Sequence, residues 1–416
     1  MCIDADRLWD TLLKLARIGA YVDARTGLSG VNRLALTDAD ADGRRQVMAW
    51  FGEAGLEVRV DRVGNVIGRR AGRFDHLAPV MSGSHIDSVP TGGAFDGALG
   101  VIGALEVVRS LNDAGVVTRR PIEIAFFTDE EGCRFGTDML GSAVACGRLP
   151  LDVALDLTDK HGLRMGDELA RIGFQGEAEE RLTPRHAYVE VHIEQGPVLA
   201  AAEMDLGVVS GVQGISWWEL TVRGRSAHAG TTPMSLRRDP GVAVARLHLA
   251  LDAMARSGRF GPEMRATMGR YDAHPGLVNV VPSRVICTVD LRNPDDDQMA
   301  RAEAAFAEEV ATIERDLQVT IEREQTARTD RVPFAPVVQA IIARHMDALG
   351  LRHATLLSGA GHDAQELAAV CPTAMIFVPG LHEGISHNPR EMSTPAACAR
   401  GVEVLYRTLV ELAEEG

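Results

Sequence analysis

Apolar positions along the first third of the chain follow two patterns, one typical of helices and one typical of buried strands. Helical spacing predicts helices over 7–19, 41–55 and 97–115. Short apolar runs predict strands over 57–68, 79–83 and 122–127. Strand, helix and strand in succession indicate a parallel, buried sheet, and ligands bind beyond the carboxyl ends of the strands in such sheets.

The pattern changes near Gly211. Four strands are predicted over 215–224, 266–271, 284–293 and 319–325, with helices over 240–256 and 295–317. The order β-α-β-β-α-β is that of a ferredoxin-like α+β unit. Beyond it, a helix over 336–349, a strand over 373–379 and a helix from 395 resume the α/β pattern. We therefore predict an α/β catalytic domain with a mixed, largely parallel sheet, formed by 1–211 and 329–416 and interrupted by an inserted domain over 212–328.

Composition narrows the functional classes. The 416 residues carry a net charge of −15, which argues against nucleic acid as a partner because phosphate binding requires a basic surface. No run approaches the roughly 18–20 apolar residues of a membrane span, and the N-terminal segment has no signal-peptide apolar core. Six cysteines without a CxxC pair indicate free thiols, so we expect a cytoplasmic protein that acts on neither membranes nor nucleic acids.

Residues suited to metal binding and hydrolysis are distributed over three hundred residues, in five short motifs that each contain glycine. The motifs supply His85 in SGSHIDSV, Asp96 in GGAFDGALG, Glu130 and Glu131 in FFTDEEGCRF, His192 in VEVHIEQGP and His387 in GISHNPREMST. Two imidazoles, a shared carboxylate and a further carboxylate can hold two divalent cations, and such a pair acidifies a water molecule for hydrolysis. Adjacent residues of an extended segment point to opposite faces, so Glu130 and Glu131 are expected to serve two different roles.

On these motifs the chain resembles the M20-type metallo-amidohydrolases, and more closely their amidase, hydantoinase/carbamoylase branch. The resemblance extends from GVNRLALTDAD to FVPGLHEGISHNPRE. HIEQGP places a histidine where peptidases of the broader group generally carry an acidic ligand, and SAHAGTTPM is also typical of this branch. The resemblance implies a di-metal catalytic domain and a smaller lid, 212–328, that also forms the interface of a homodimer.

The resemblance also implies a role for individual residues. One metal would be held by His85, Asp96 and His192, and the other by Asp96, Glu131 and His387, with Asp96 bridging. Zinc suits these ligands, as do manganese, cobalt and nickel. Glu130 would be the general base and later the acid, and Asp87 would orient the His85 imidazole without binding the metal itself.

Further residues are implied to contact the substrate. His228 would reach the active site of the partner subunit and polarise the scissile carbonyl. The polar end of the substrate would be bound by Gln195, Asn279 and Arg292, with Arg292 gripping a carboxylate. Gly359 and Gly361 would let the backbone approach the ligand. For His362, which directly follows Gly361, both a structural and a functional role stay open.

The function implied is hydrolysis of the terminal ureido C–N bond of a small-molecule ureido acid, an N-carbamoyl-L-amino acid. Amino acid, ammonia and carbon dioxide would be released. Allantoate amidohydrolase is the alternative, along with ureidoglycolate amidohydrolase and β-ureidopropionase. An M20 dipeptidase or N-acyl-amino-acid deacylase is a more distant alternative. A non-catalytic metal-binding scaffold is expected to lose Glu130, which this chain retains.

Overall fold

The computed structural model of the protein describes residues 2–415 and divides the chain into two compact units. The first unit comprises the chain up to Gly211 and again from Pro333, and the second comprises Val212–Val332. No helix among residues 2–415 combines the length and apolarity that a membrane span requires.

Helices and strands alternate through both units. The α-helices are α1 Ala5–Ala16, α2 Asp38–Glu53, α3 Ala98–Asp113, α4 Leu140–Ala145, α5 Leu151–Asp156, α6 Met165–Ile172, α7 Val198–Ala201, α8 Pro240–Arg256, α9 Asp296–Leu317, α10 Pro336–Ala348, α11 Asp363–Leu367 and α12 Pro395–Glu414. The strands are β1 Ala20–Val22, β2 Ser29–Val31, β3 Glu57–Val60, β4 Val66–Arg70, β5 Val80–His85, β6 Ile122–Phe127, β7 Ala187–Ile193, β8 Leu206–Val212, β9 Gly214–Arg223, β10 Ala227–His228, β11 Arg265–Thr267, β12 Tyr271–His274, β13 Val280–Val281, β14 Arg284–Asn293, β15 Thr320–Thr329, β16 Val332–Pro333, β17 His353–Ser358 and β18 Thr373–Val378.

A mixed nine-stranded sheet forms the centre of the first unit, in the order β16-β8-β18-β7-β5-β6-β4-β3, with β17 also paired to β8. The four central strands, β18, β7, β5 and β6, are parallel. Strand β8 pairs antiparallel with β18 and β4 pairs antiparallel with β6, and β3 pairs antiparallel with β4. The predicted mixed α/β sheet is therefore confirmed, with its parallel part confined to the four central strands.

Helical connections allow these central strands to run parallel, and the helices cover both faces of the sheet. Every residue of β5, β6, β7 and β18 is buried, which is typical of strands covered on both faces. The helix α3 connects β5 to β6 and is almost entirely buried, and α12 packs against α3. The carboxyl ends of these four strands therefore lie at the same edge of the sheet.

Local side-chain chemistry explains where the observed elements depart from the predicted bounds. Helix α1 begins earlier than expected because the Asp4 carboxylate accepts the N–H of Arg7 and caps it. The predicted strand over 57–68 is a hairpin of β3 and β4. Its turn forms because the Asp61 carboxylate accepts the N–H groups of Val63 at 3.0 Å and Asn65 at 2.8 Å.

The second unit has a four-stranded antiparallel path, β11-β14-β9-β15, with β12 also paired to β14. The helices α8 and α9 pack on this sheet over a core that includes Leu220, Val222 and Phe306. Strand β14 alternates between half-buried and buried positions, as a strand with one covered face should. Chain order and strand order together are those of a ferredoxin-like unit, which confirms that prediction.

Candidate metal centre

Three of the sequence motifs meet at the carboxyl edge of the parallel strands. His85 is the last residue of β5, and Glu130 and Glu131 follow β6 after a two-residue turn. His192 is the next-to-last residue of β7. Because β5 pairs in parallel with both β6 and β7, these side chains reach one edge of the sheet.

The Asp96 carboxylate lies at the centre of the cluster, in the loop between β5 and α3. Its Oδ1 atom is 3.1 Å from His192 Nε2 and 3.6 Å from His85 Nε2. Its Oδ2 atom is 3.5 Å from His387 Nε2. The two oxygens of one carboxylate thus face two different sets of imidazoles.

Two groups of potential metal ligands share this carboxylate. The ligand atoms of His85, Asp96 and His192 all lie within 4.8 Å of one another, as do those of Asp96, Glu131 and His387. Imidazole nitrogens and carboxylate oxygens are ligands that zinc accepts in catalytic sites, and manganese, cobalt and nickel accept them too. The donor set therefore fits divalent cations.

The charge of the cluster supports the same fit. The pKa of the Glu130 carboxyl lies well above its ordinary value because of burial and, next, the surrounding carboxylates, with His85 opposing. Hydrogen bonding to Glu131 raises the pKa of His387 to about 9. Carboxylates this close repel one another in a buried site, and a divalent cation removes that repulsion.

Glu130 and Glu131 face different parts of the cluster. Glu130 is buried, and its Oε2 atom is 3.4 Å from His85 Nε2. Glu131 Oε2 is 3.2 Å from His387 Nε2, and Glu131 Oε1 accepts the N–H of Val89 at 3.3 Å. The two adjacent glutamates therefore serve opposite ends of the site.

Backbone carbonyls orient the two buried imidazoles. Nδ1 of His85 lies 3.0 Å from the carbonyl oxygen of Asp87, and Nδ1 of His192 lies 2.8 Å from that of Ile193. Both rings therefore present Nε2 to Asp96. Asp87 acts on His85 through its main chain. Its carboxylate lies 3.8 Å from Nδ1 of the ring and accepts the N–H groups of Glu130 and Glu131.

Backbone conformation is unusual around the site. Gly97 has φ +63°, and a Cβ atom there would lie 2.4 Å from the His85 ring, so only glycine fits. Asp129, Gln195 and His387 also have positive φ, which is uncommon for residues with side chains. Such strained residues cluster at functional sites, where surrounding contacts hold them.

Gln195 reaches the central carboxylate directly. Its Nε2 atom donates to Asp96 Oδ2 at 2.8 Å. Its Oε1 atom is buried and has no hydrogen-bond partner among residues 2–415. An acceptor left open in this position is available to an N–H group of a ligand.

Several polar residues at the site were not predicted from the sequence. Glu190 is two residues before His192 and accepts hydrogen bonds from Ser84, Tyr188 and Ala364. Its position on the same face of β7 as His192 was a signal for it. Glu391 and Ser386 flank His387 in sequence, and both contact the Asp96 segment.

The predicted glycine turn lies behind His192. Gly359 and Gly361 lie between β17 and α11, and Gly361 packs against Met139. The ring centroid of His362 is 4.5 Å from that of His192, and its Nε2 atom is 2.8 Å from Ser358 Oγ. Together with Glu190 and His192, His362 forms a further group of potential ligand atoms. Burial holds the pKa of His362 well below its ordinary value, which favours the neutral ring.

The remaining predicted residues belong to the second unit. His228 is exposed on β10, which pairs with β13, and the Ala229 N–H donates to the Asn279 carbonyl at 3.0 Å. His228 and Asn279 are therefore neighbours. Arg292 lies on β14, half-buried, with its guanidinium hydrogen-bonded to Asp290.

Known proteins match the chain over nearly its whole length. The sequence profile of peptidase family M20/M25/M40 matches residues 81–411. The N-carbamoyl-L-amino-acid amidohydrolase of Rhizobium meliloti is 41% identical over 412 residues, which cover 99% of this chain and 97% of that protein. The ureidoglycolate hydrolase of Arabidopsis thaliana is 34% identical over 424 residues, 99% of this chain and 87% of that protein. A crystal structure of an amidase of the hydantoinase/carbamoylase family from Burkholderia vietnamiensis matches with a TM-score of 0.93 at 44% identity, covering 99% of this chain and 98% of that one.

Proposed function

We propose that this chain, which belongs to the metal-dependent peptidase family M20/M25/M40, hydrolyses the terminal ureido C–N bond of an N-carbamoyl-L-amino acid. Breaking this bond releases ammonia and leaves an N-carboxy amino acid, which then loses carbon dioxide to give the free amino acid. The observation that carries the proposal is the Asp96 carboxylate, whose two oxygens face two ligand groups beside the buried Glu130. The N-carbamoyl-L-amino-acid amidohydrolase named above supports the choice of substrate.

The proposed metal ligands are His85, Asp96 and His192 on one side and Asp96, Glu131 and His387 on the other. Divalent cations held by these residues would lower the pKa of a bound water and polarise a carbonyl oxygen. Glu130 receives a proton from the attacking water as the oxygen bonds to the ureido carbon. It then returns that proton to the departing nitrogen as the C–N bond breaks. Burial raises the pKa of the Glu130 carboxyl above its ordinary value, which makes the carboxylate a stronger base for that proton.

Hydrogen bonding suits His228 to the task of polarising the carbonyl. Its Nδ1 atom accepts the N–H groups of Gly230 at 3.0 Å and Thr231 at 3.3 Å. A neutral imidazole whose Nδ1 accepts carries its proton on Nε2, which can donate to an oxyanion. We assign Asn279, Arg292 and Gln195 to the polar end of the substrate, and Gly359 and Gly361 to backbone contact with it.

The same proposal includes a homodimer in which His228 serves the partner's site. Val242 and Leu249 are seven residues apart on α8 and therefore share a face of that helix. They are exposed by 49% and 74%, and Leu277 and Val278 are also exposed in the second unit. Exposed apolar side chains of this kind are typical of an interface.

Ureidoglycolate or allantoate hydrolysis is the second candidate. The similarity to the Arabidopsis ureidoglycolate hydrolase favours it, because that protein also matches almost the entire chain. β-Ureidopropionase activity falls in the same group. A dipeptidase or N-acyl-amino-acid deacylase would use the same metal centre but a different substrate pocket.

Protein loaded with zinc or manganese is expected to bind about two equivalents of metal per chain, since ligands for two cations share Asp96. Elemental analysis after removal of free metal gives the ratio. A ratio that stays at one or below under saturating metal contradicts the paired centre.

The substrate is expected to require a carboxylate beside the ureido-bearing carbon. Removing one partner of a buried charged contact costs about 2–5 kcal/mol, or roughly 30-fold to several-thousand-fold in kcat/KM. The measurement is kcat/KM for an N-carbamoyl-L-amino acid, its amide, its D-enantiomer and allantoate, in wild type and Arg292→Ala. The preference for acid over amide should collapse in the variant.

Arg223→Ala is the matched control, because Arg223 is an exposed arginine of the same unit paired with Glu322. It should keep the wild-type preference. Equal turnover of acid and amide by the wild type would refute carboxylate recognition. Faster turnover of allantoate would promote the second candidate.

A further inference from the structure

A second buried carboxylate, that of Glu391, is hydrogen-bonded to the Asp96 segment. Glu391 follows His387 by four residues and is 6% exposed. Its Oε1 atom accepts the N–H of Phe95 at 2.9 Å and that of Asp96 at 3.1 Å. One buried carboxylate oxygen therefore holds the main chain of the bridging residue.

The other oxygen of Glu391 reaches the Asp96 side chain through a hydroxyl. Glu391 Oε2 is 2.8 Å from Ser386 Oγ, and Ser386 Oγ is 2.6 Å from Asp96 Oδ2. The Asp96 atom that accepts this hydrogen bond, Oδ2, is also the oxygen that faces His387. Glu391 therefore acts on Asp96 at both its backbone and its carboxylate.

Packing keeps Glu391 and the Asp96 segment at this distance. A Cβ atom on Gly93 would lie 2.4 Å from the Glu391 side chain, so the absence of a side chain allows the approach. Phe95 stacks on Trp9 with ring centroids 5.5 Å apart, which holds the same segment through α1. The bridging carboxylate is thus fixed by residues from widely separated parts of the chain.

We propose that Glu391 is a positioning residue that sets the direction of both Asp96 oxygens and thereby the metal affinity of both ligand groups. The inference rests on the proposed metal centre, because Asp96 belongs to both groups. Residues that hydrogen-bond to a metal ligand typically contribute about 10- to 100-fold to metal affinity, because a ligand that is wrongly oriented loses its bond to the metal.

The chain of hydrogen bonds permits a conservative variant. In Glu391→Gln the amide oxygen can still accept the N–H groups of Phe95 and Asp96. The amide nitrogen can donate to Ser386 Oγ, whose hydroxyl then rotates to donate to Asp96 Oδ2. Glu391→Ala removes every one of these links, and Ser386→Ala cuts only the link to the Asp96 side chain.

The test is Zn²⁺ affinity of the full-length protein, measured after metal removal by competition with a chromogenic zinc chelator. Glu391→Ala is expected to bind Zn²⁺ about 10- to 100-fold more weakly than wild type, and Glu391→Gln within about threefold of wild type. Glu403→Ala is the matched control. Glu403 is also a buried glutamate that accepts two backbone N–H groups, but those of Cys2 and Ile3. Circular dichroism and thermal unfolding of the metal-free proteins show whether each variant is folded.

Wild-type Zn²⁺ affinity in folded Glu391→Ala, or equal weakening in Glu403→Ala, overturns the positioning role. If Glu391→Ala does not fold, Ser386→Ala decides, because it leaves the backbone hydrogen bonds of Glu391 in place. Wild-type affinity in Ser386→Ala then overturns the inference. The wild-type stoichiometry separately tests the proposed function. A single bound Zn²⁺ contradicts the paired centre yet leaves the role of Glu391 to be decided by the same variants.

Discussion

Replacing Glu130 with glutamine is expected to lower kcat by about two to four orders of magnitude while both metals and the fold are retained. The amide keeps the shape of the side chain but cannot take a proton from water. Glu130 is buried beside His85 and belongs to neither shared ligand group, so metal binding should survive. The measurements are kcat, metal content by elemental analysis, and thermal unfolding.

Glu131→Gln is the contrasting variant at the adjacent position. Glu131 contacts His387 at 3.2 Å and belongs to the second ligand group, so its replacement should weaken one metal. The metal content should fall toward one equivalent, and added metal should restore part of the activity. Metal loss of equal size in both variants would show that the two glutamates do not divide their roles in this way.

Mixing two inactive variants is expected to restore activity if His228 serves the partner's site. His228→Ala should lower kcat by about 100- to 1,000-fold, as expected for the loss of an oxyanion donor. In a hybrid dimer with Glu130→Gln, one site keeps an intact Glu130 and receives an intact His228. Random exchange between equal amounts of the two variants should therefore recover about a quarter of the wild-type activity.

The control for this experiment is His248→Ala mixed with Glu130→Gln. His248 is a further histidine of the second unit, on α8, where it is hydrogen-bonded to Tyr271. His248→Ala should be active by itself. Activity that fails to return in the first mixture, although subunit exchange is demonstrated by labelled chains, would assign His228 to its own subunit or remove it from catalysis.

Much of the fold could be predicted from the sequence because the signals are local. Buried strands such as β5 and β6 are short runs of apolar residues, and β14 alternates along its length. Their bounds agree with the prediction to within a few residues. The hairpin of β3 and β4 was missed because its turn depends on the side chain of Asp61, which apolar periodicity does not register.

The amino-acid sequence by itself determined which donors are available and that His85, Glu130 and His192 follow or end buried parallel strands. Only the tertiary structure decided how these donors are held. Asp96 and Glu391 are 295 residues apart in sequence, and their hydrogen bond requires Gly93 and the loop after His387 to pack together. Short motifs record the chemistry of single residues, whereas the direction of a ligand depends on distant backbone groups that meet only in the folded chain.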